Sequence, residues 1–167
     1  MTMNRETILT LYDYNYWATA RILAAAEGLT GADYTAAVPG ISHGSLRATL
    51  VHMLAAEMIW RQRCLEGVSP TAMVSEAELP ALADLQQRWP FEELKMRAGL
   101  ERQTDDSLRQ VVRYRTIGGR ESETPLWQIL AHLVNHNTQH RAEAAVVLTA
   151  LGRSPGDVDM ILYLRSL

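Results

Sequence analysis

The sequence predicts an all-α fold, a four-helix bundle with one long connection and a place for a short β-hairpin before the last long helix. Three observations predict it. Four stretches of the chain carry apolar residues near the 3.6-residue helical period. Glycine or capping residues close these stretches, at Gly28, Gly67, Thr104–Ser107 and Gly152. Between the third and fourth stretches, Val111 to Thr116 and Arg120 to Glu123 flank Ile117-Gly118-Gly119. That pattern allows a two-stranded hairpin with a glycine turn, or a plain extended loop.

The chain has 167 residues, 47% of them hydrophobic, enough for one domain, residues 1–167, with a full-sized core. A net charge of −3 argues against a nucleic-acid partner held electrostatically. The short basic run Arg109 to Arg115 reads as the solvated face of a strand or turn rather than a phosphate site. Cys64 is the sole cysteine, which removes an internal disulfide and a cysteine zinc site; it reads as a small packing residue. The N-terminal residues lack a basic region followed by a long apolar run, and no stretch reaches membrane-spanning length. The expectation is a soluble, cytoplasmic protein without a membrane partner.

In chain order, the first helix is expected from Asn4 to Glu27, closed by Gly28, with Ile8, Leu11, Tyr12, Trp17, Ile22 and Leu23 giving its spacing. Its segment Tyr14 to Arg21 is unusually aromatic, and each of these residues taken alone reads as core or interface filler. Thr30 to Ala37 reads as a short turn of helix. The second long helix is expected from about Ser45 to Glu66, capped by Ser42 or Ser45 and stopped at Gly67. Leu46, Leu50, Met53, Trp60 and Cys64 form its stripe, with His52 at the edge and Glu57 inside it. A carboxylate there is either paired in the core or gathered at a site. The third helix is expected from Pro80 or Ala81 towards Gln103, kinked or split at Pro90. After the capping residues Thr104 to Ser107 and the hairpin candidate comes the fourth helix, Thr124 to Gly152. Thr124 is its expected N-cap and Pro125 its first helical residue. Ser154-Pro155-Gly156 forces a turn, and Met160 to Leu164 is apolar enough to pack back on the bundle.

The fourth helix carries the chemistry. His132, His136 and His140 stand four residues apart, and each step of four turns only about 40° around a helix. All three share a face with Ile129, Leu133, Val147 and Leu151, which points that face into the core. Polar imidazoles in an apolar stripe need partners. Two ligands at i and i+4 can reach one ion, and both His132/His136 and His136/His140 meet that spacing. One ion does not take all three, because His132 and His140 lie roughly 12 Å apart along the axis. One pair with His52 as third ligand is the economical site, and Glu57 and Glu143 are carboxylates that could join or orient it. Glu143 is equally an ion-pair partner for an arginine such as Arg21. His43, in a loop beside Gly44, reads as solvent-exposed or capping.

Several motifs occur together in order: Tyr14-Asn15-x-Trp17-Ala18-x-x-Arg21; Gly44-Ser45-Leu46-x-x-Thr49-Leu50-x-His52 with Glu57 and Trp60; His132-x-x-x-His136-x-x-x-His140-Arg141; and Leu151-Gly152-x-x-Pro155 with Asp159 and Tyr163. In this combination, over essentially the whole chain, the sequence resembles the DinB family. The resemblance implies a DinB/YfiT-like four-helix bundle, usually a homodimer, with a divalent metal, zinc or nickel first, held by His52, His136 and His140. His132 then matches a family histidine outside the ligand set and is expected as a neighbour or packing residue.

The resemblance also bears on activity, since characterised members include bacillithiol transferases and mycothiol-dependent maleylpyruvate isomerase. It implies a metal-dependent transferase or isomerase-like enzyme acting on a small molecule with a low-molecular-weight thiol. Arg21, Arg141 or the Arg109–Arg115 run would then bind the thiol's carboxylates. The alternatives are a metal-dependent hydrolase and a non-catalytic, metal-stabilised stress-response or binding module.

Overall fold

The computed structural model describes residues 3–167. Four long helices form the bundle: α1 (Arg5–Ala26), α3 (Leu46–Leu65), α4 (Leu82–Glu101) and α6 (Leu126–Ala150). Three short helices, α2 (Gly31–Thr35), α5 (Asp105–Arg109) and α7 (Met160–Leu164), sit in the connections and the tail. Around the bundle, α1 packs on α6 and α4, and α3 packs on the same two. The expected hairpin forms, with β1 (Val111–Arg115) antiparallel to β2 (Glu121–Pro125) and Arg113 opposite Glu123.

Side-chain caps set most of the helix starts. The Asn4 side chain accepts from the Thr7 N–H at 2.9 Å and Ser45 Oγ from the Ala48 N–H at 3.0 Å, each satisfying a donor the helix leaves orphaned. Thr104 and Ser107 cap each other reciprocally at the start of α5. The last long helix departs from expectation at its start. Thr124 belongs to β2, paired with Val112, and Pro125 takes the N-cap position, so helix begins at Leu126. The strand supplies the reason: extended chain runs directly into the helix, and the Gln110 carbonyl accepts the Leu126 N–H at 2.9 Å, so no capping side chain is needed. Its C-terminus is as expected. Gly152 takes φ +74°, its N–H bonds the Thr149 carbonyl, and the Arg153 N–H bonds the Leu148 carbonyl, the double closure of a Schellman ending.

Pro90 does not split α4, which stays helical through it. Its ring lies on the exposed face, next to the buried Trp89. The tail folds back on α1, where the Tyr14 hydroxyl donates to the Val158 carbonyl at 3.1 Å. No residue of α7 is buried, yet the Tyr163 ring packs 5.7 Å from Trp17 and 6.1 Å from Tyr14. Among the described residues, no helix is long and apolar enough to cross a membrane.

The interior is not uniformly apolar. One cluster gathers Ile22, Leu46, Leu50, Met53, Leu85, Trp89 and Leu148; the other gathers Ile8, Tyr12, Tyr16, Met96, Leu100, Leu126 and Leu130. At the level where the two clusters meet, α1, α4 and α6 bury polar residues: Asn15 and Thr19, Glu92, and Asn137 and Arg141. Glu57 on α3 is buried with them. Arg141 donates to the Asn15 side chain and to Thr138 Oγ1, with its guanidinium 5.3 Å from the centre of the Tyr14 ring. The histidines of α3 and α6 stand near this polar level, on the α3–α6 seam.

Candidate metal centre

The imidazoles come from three segments. His52 lies in the second turn of α3, whose buried Leu50, Met53 and Leu54 lock the helix into the core and leave His52 half-buried at the seam. His136 and His140 stand one turn apart on α6, where Leu133, Ala144 and Leu148 fix the inner face. His52 Nε2 and His136 Nε2 meet at 3.0 Å. The three rings are mutually adjacent, with centroids 5.0 Å apart for His52–His136, 4.9 Å for His52–His140 and 4.5 Å for His136–His140. A fourth ring enters from the loop before α3. His43 stacks on His52 at 3.9 Å and lies 4.9 Å from His140. His43, His52 and His140 each offer a ligand atom, all within 4.8 Å of one another.

A carboxylate supports the cluster. Glu143 Oε2 lies 3.0 Å from His140 Nδ1, while Glu143 Oε1 accepts from Ser42 Oγ at 2.5 Å. One glutamate therefore fixes the His140 ring and tethers the loop bearing His43. Burial works to raise the Glu143 carboxyl, but hydrogen bonds from Ser42 and His140 hold it below its ordinary value. Burial and the neighbouring imidazoles push His52 and His136 down to about 4. Both rings are thus neutral at physiological pH, the protonation state that binds metals.

The donor set fits a divalent ion. Ligand nitrogens at about 2.0–2.1 Å from zinc stand about 3.4 Å apart at the tetrahedral angle, close to the 3.0 Å between His52 and His136. An imidazole whose second nitrogen faces a carboxylate, as in His140, is the usual supported metal ligand. An all-imidazole set suits zinc, copper, iron or nickel rather than magnesium or calcium.

The other candidates disperse. His132 is exposed, its ring 5.8 Å from His136 and 5.8 Å edge-on to Trp60. The histidine face therefore does not run wholly into the core, and it passes from exposed His132 to buried His140. Glu57 is fully buried and accepts from the Tyr16 hydroxyl at 2.6 Å, which is the core-pairing alternative. Arg21 packs over Trp17 at 4.9 Å, and Glu143 pairs with His140 and Ser42 instead. Arg141 is 1% exposed, unable to reach a substrate carboxylate. Arg109, Arg113 and Arg115 are exposed and paired with Asp106, Glu123 and Glu121, the solvated face expected of them. Cys64 packs beside the second cluster, and burial pushes its thiol up to about 12, leaving it inert.

His43 is the residue that sequence reasoning missed. It is half-buried against two imidazoles rather than solvent-exposed or capping. Helical periodicity cannot place a loop residue. The available signal was the choice between Ser42 and Ser45 as cap: Ser45 takes that role, which frees Ser42 for Glu143 and draws the intervening His43 to α6.

A four-helix bundle with imidazoles converging from α3, α6 and the loop between α2 and α3 defines a class of helical, histidine-rich proteins suited to a metal. Comparison with known proteins makes this specific. The family model described as DinB family matches residues 3–166, and the chain belongs to that family. It is also similar to Protein DinB of Bacillus subtilis (strain 168), 24% identical over 162 residues, covering 92% of this chain and 91% of that protein.

Proposed function

We propose that this protein is a divalent-metal enzyme in which His52, His136 and His140 hold the ion and a low-molecular-weight thiol is the co-substrate. The observation that carries the metal part of the reading is the 3.0 Å approach of His52 Nε2 to His136 Nε2, with His140 beside both rings; the thiol is proposed from membership of the DinB family. Zinc or nickel at these imidazoles would supply Lewis acidity that favours a bound thiol as its nucleophilic thiolate. The chain's own residues do the rest. Burial keeps the His52 and His136 rings unprotonated. Glu143 holds His140 by Nδ1 and leaves its Nε2 free. The rings of His52 and His136 are half-buried, at the polar level between the two apolar clusters.

The test is elemental analysis of protein purified without a histidine tag, beside the His136→Ala/His140→Ala variant. Stoichiometric metal in the wild type, lost in the variant, is the expected result. Equal trace metal in both sinks the proposal. A panel of thiols against a chlorinated nitroarene then reads the activity, and absence of metal-dependent turnover with every thiol redirects the chemistry to hydrolysis.

A further inference from the structure

We infer that His43 is a fourth, loop-borne metal ligand, which closes the site until a substrate displaces it. The inference rests on the metal reading above and adds a residue to it. Its ring lies 3.9 Å from that of His52 and 4.9 Å from that of His140, and its ligand atom is within 4.8 Å of both of theirs. His136 lies outside that set of three and joins it through His52, whose Nε2 is 3.0 Å from His136 Nε2. Ligand nitrogens on a tetrahedral ion stand roughly 3.4 Å apart, so His43 has to move inward to bind.

The backbone holds His43 there by design of the loop. Ser42, its neighbour, donates to Glu143 at 2.5 Å, and the Val38 N–H bonds the Gly44 carbonyl at 2.7 Å. Gly44 sits at φ +74°, a left-handed turn that brings the chain sharply into α3. The same Glu143 carboxylate supports His140, so the loop and a helix-borne imidazole share one anchor.

His43 is also the ligand best able to leave. His52, His136 and His140 are fixed on long helices, whereas His43 is held by one side-chain tether and a loop hydrogen bond. Four protein ligands make a closed site, and three with one exchangeable position make a reactive one. A ligand on a loop lets one site be both in turn.

The test uses the full-length protein loaded with zinc, and with cobalt(II) as spectroscopic probe. Wild type is compared with His43→Phe, which keeps a ring against His52 without a ligand nitrogen, and with His43→Ala in case the larger ring disturbs the loop. His52→Ala is the control. X-ray absorption is expected to count four imidazoles in the wild type and three plus an oxygen in either His43 variant. Zinc affinity by chelator competition is expected to fall at least about tenfold in both. The cobalt(II) visible spectrum should shift to that of a water-bearing site. Equal imidazole counts and affinities in wild type and variants overturn the role of His43 while leaving the metal site intact. A wild type that binds no stoichiometric metal overturns the metal reading itself, and His43 with it.

Discussion

At the scale of single residues, Glu143 is the pivot. It faces His140 Nδ1 and receives Ser42 Oγ, so it orients one imidazole and restrains the loop of another. Glu143→Ala should weaken zinc binding by about 10- to 100-fold, the usual consequence of removing a ligand's carboxylate support. Ser42→Ala should produce a smaller loss in the same chelator competition, because His140 keeps its partner. Unchanged affinity in Glu143→Ala would show that the carboxylate serves only the fold. The residues of this centre were unevenly legible in the sequence. Four-residue spacing put His136 and His140 on one face, and the stripe edge put His52 where a neighbouring helix meets it. His43 was opaque because its position depends on how a loop docks 101 residues away, from Ser42 to Glu143, and no local period encodes that.

At the scale of elements, α3 and α4 are joined by a charged clamp. Arg61 Nη2 bonds Glu92 Oε2 at 2.8 Å, with the Arg61 side chain 3% and the Glu92 side chain 0% exposed, and Arg88 and Lys95 reach the same carboxylate from the surface. Buried pairs add little over apolar contacts, but removing one partner strands the other. Glu92→Ala should therefore cost about 3 kcal/mol in urea denaturation. The Glu92→Leu/Arg61→Leu double variant should recover most of that loss; if it is as unstable as Glu92→Ala, the clamp is not the cause. The four long helices were readable because apolar spacing and caps agree along each. The start of α6 was misread, since Thr124 and Pro125 carry good helix-start chemistry that the pairing of β2 with β1 overrides. Pro90 was read as kinking or splitting the helix, but its ring is exposed and α4 runs unsplit from Leu82 to Glu101.

At the scale of the whole molecule, the polar level between the two apolar clusters makes stability depend on pH. Burial lifts the Glu57 carboxyl to about 7, against the Tyr16 hydrogen bond that lowers it. The groups around it are Tyr12 and Tyr16 on α1, Arg61 on α3, Glu92 and Glu93 on α4, and Arg141 on α6. A carboxyl whose folded value is raised binds its proton more tightly in the native state. Its contribution is present below about 4.5, is lost as pH rises, and is gone above about 7. Glu57→Gln should therefore raise the melting temperature at pH 8 relative to pH 5, by up to roughly 3 kcal/mol of differential stability. Equal shifts at both pH values would show that Glu57 titrates normally. The same global view gives the His52–His136 contact a further meaning. The two Nε2 atoms meet at 3.0 Å although the residues stand 84 positions apart in sequence, so their encounter must close a loop spanning half the chain. No local segment can therefore build the centre, which exists only through the packing of α3 on α6. On a growing polypeptide, the paired imidazoles of α6 emerge long after His52, and the pocket exists only once the bundle has shut around it.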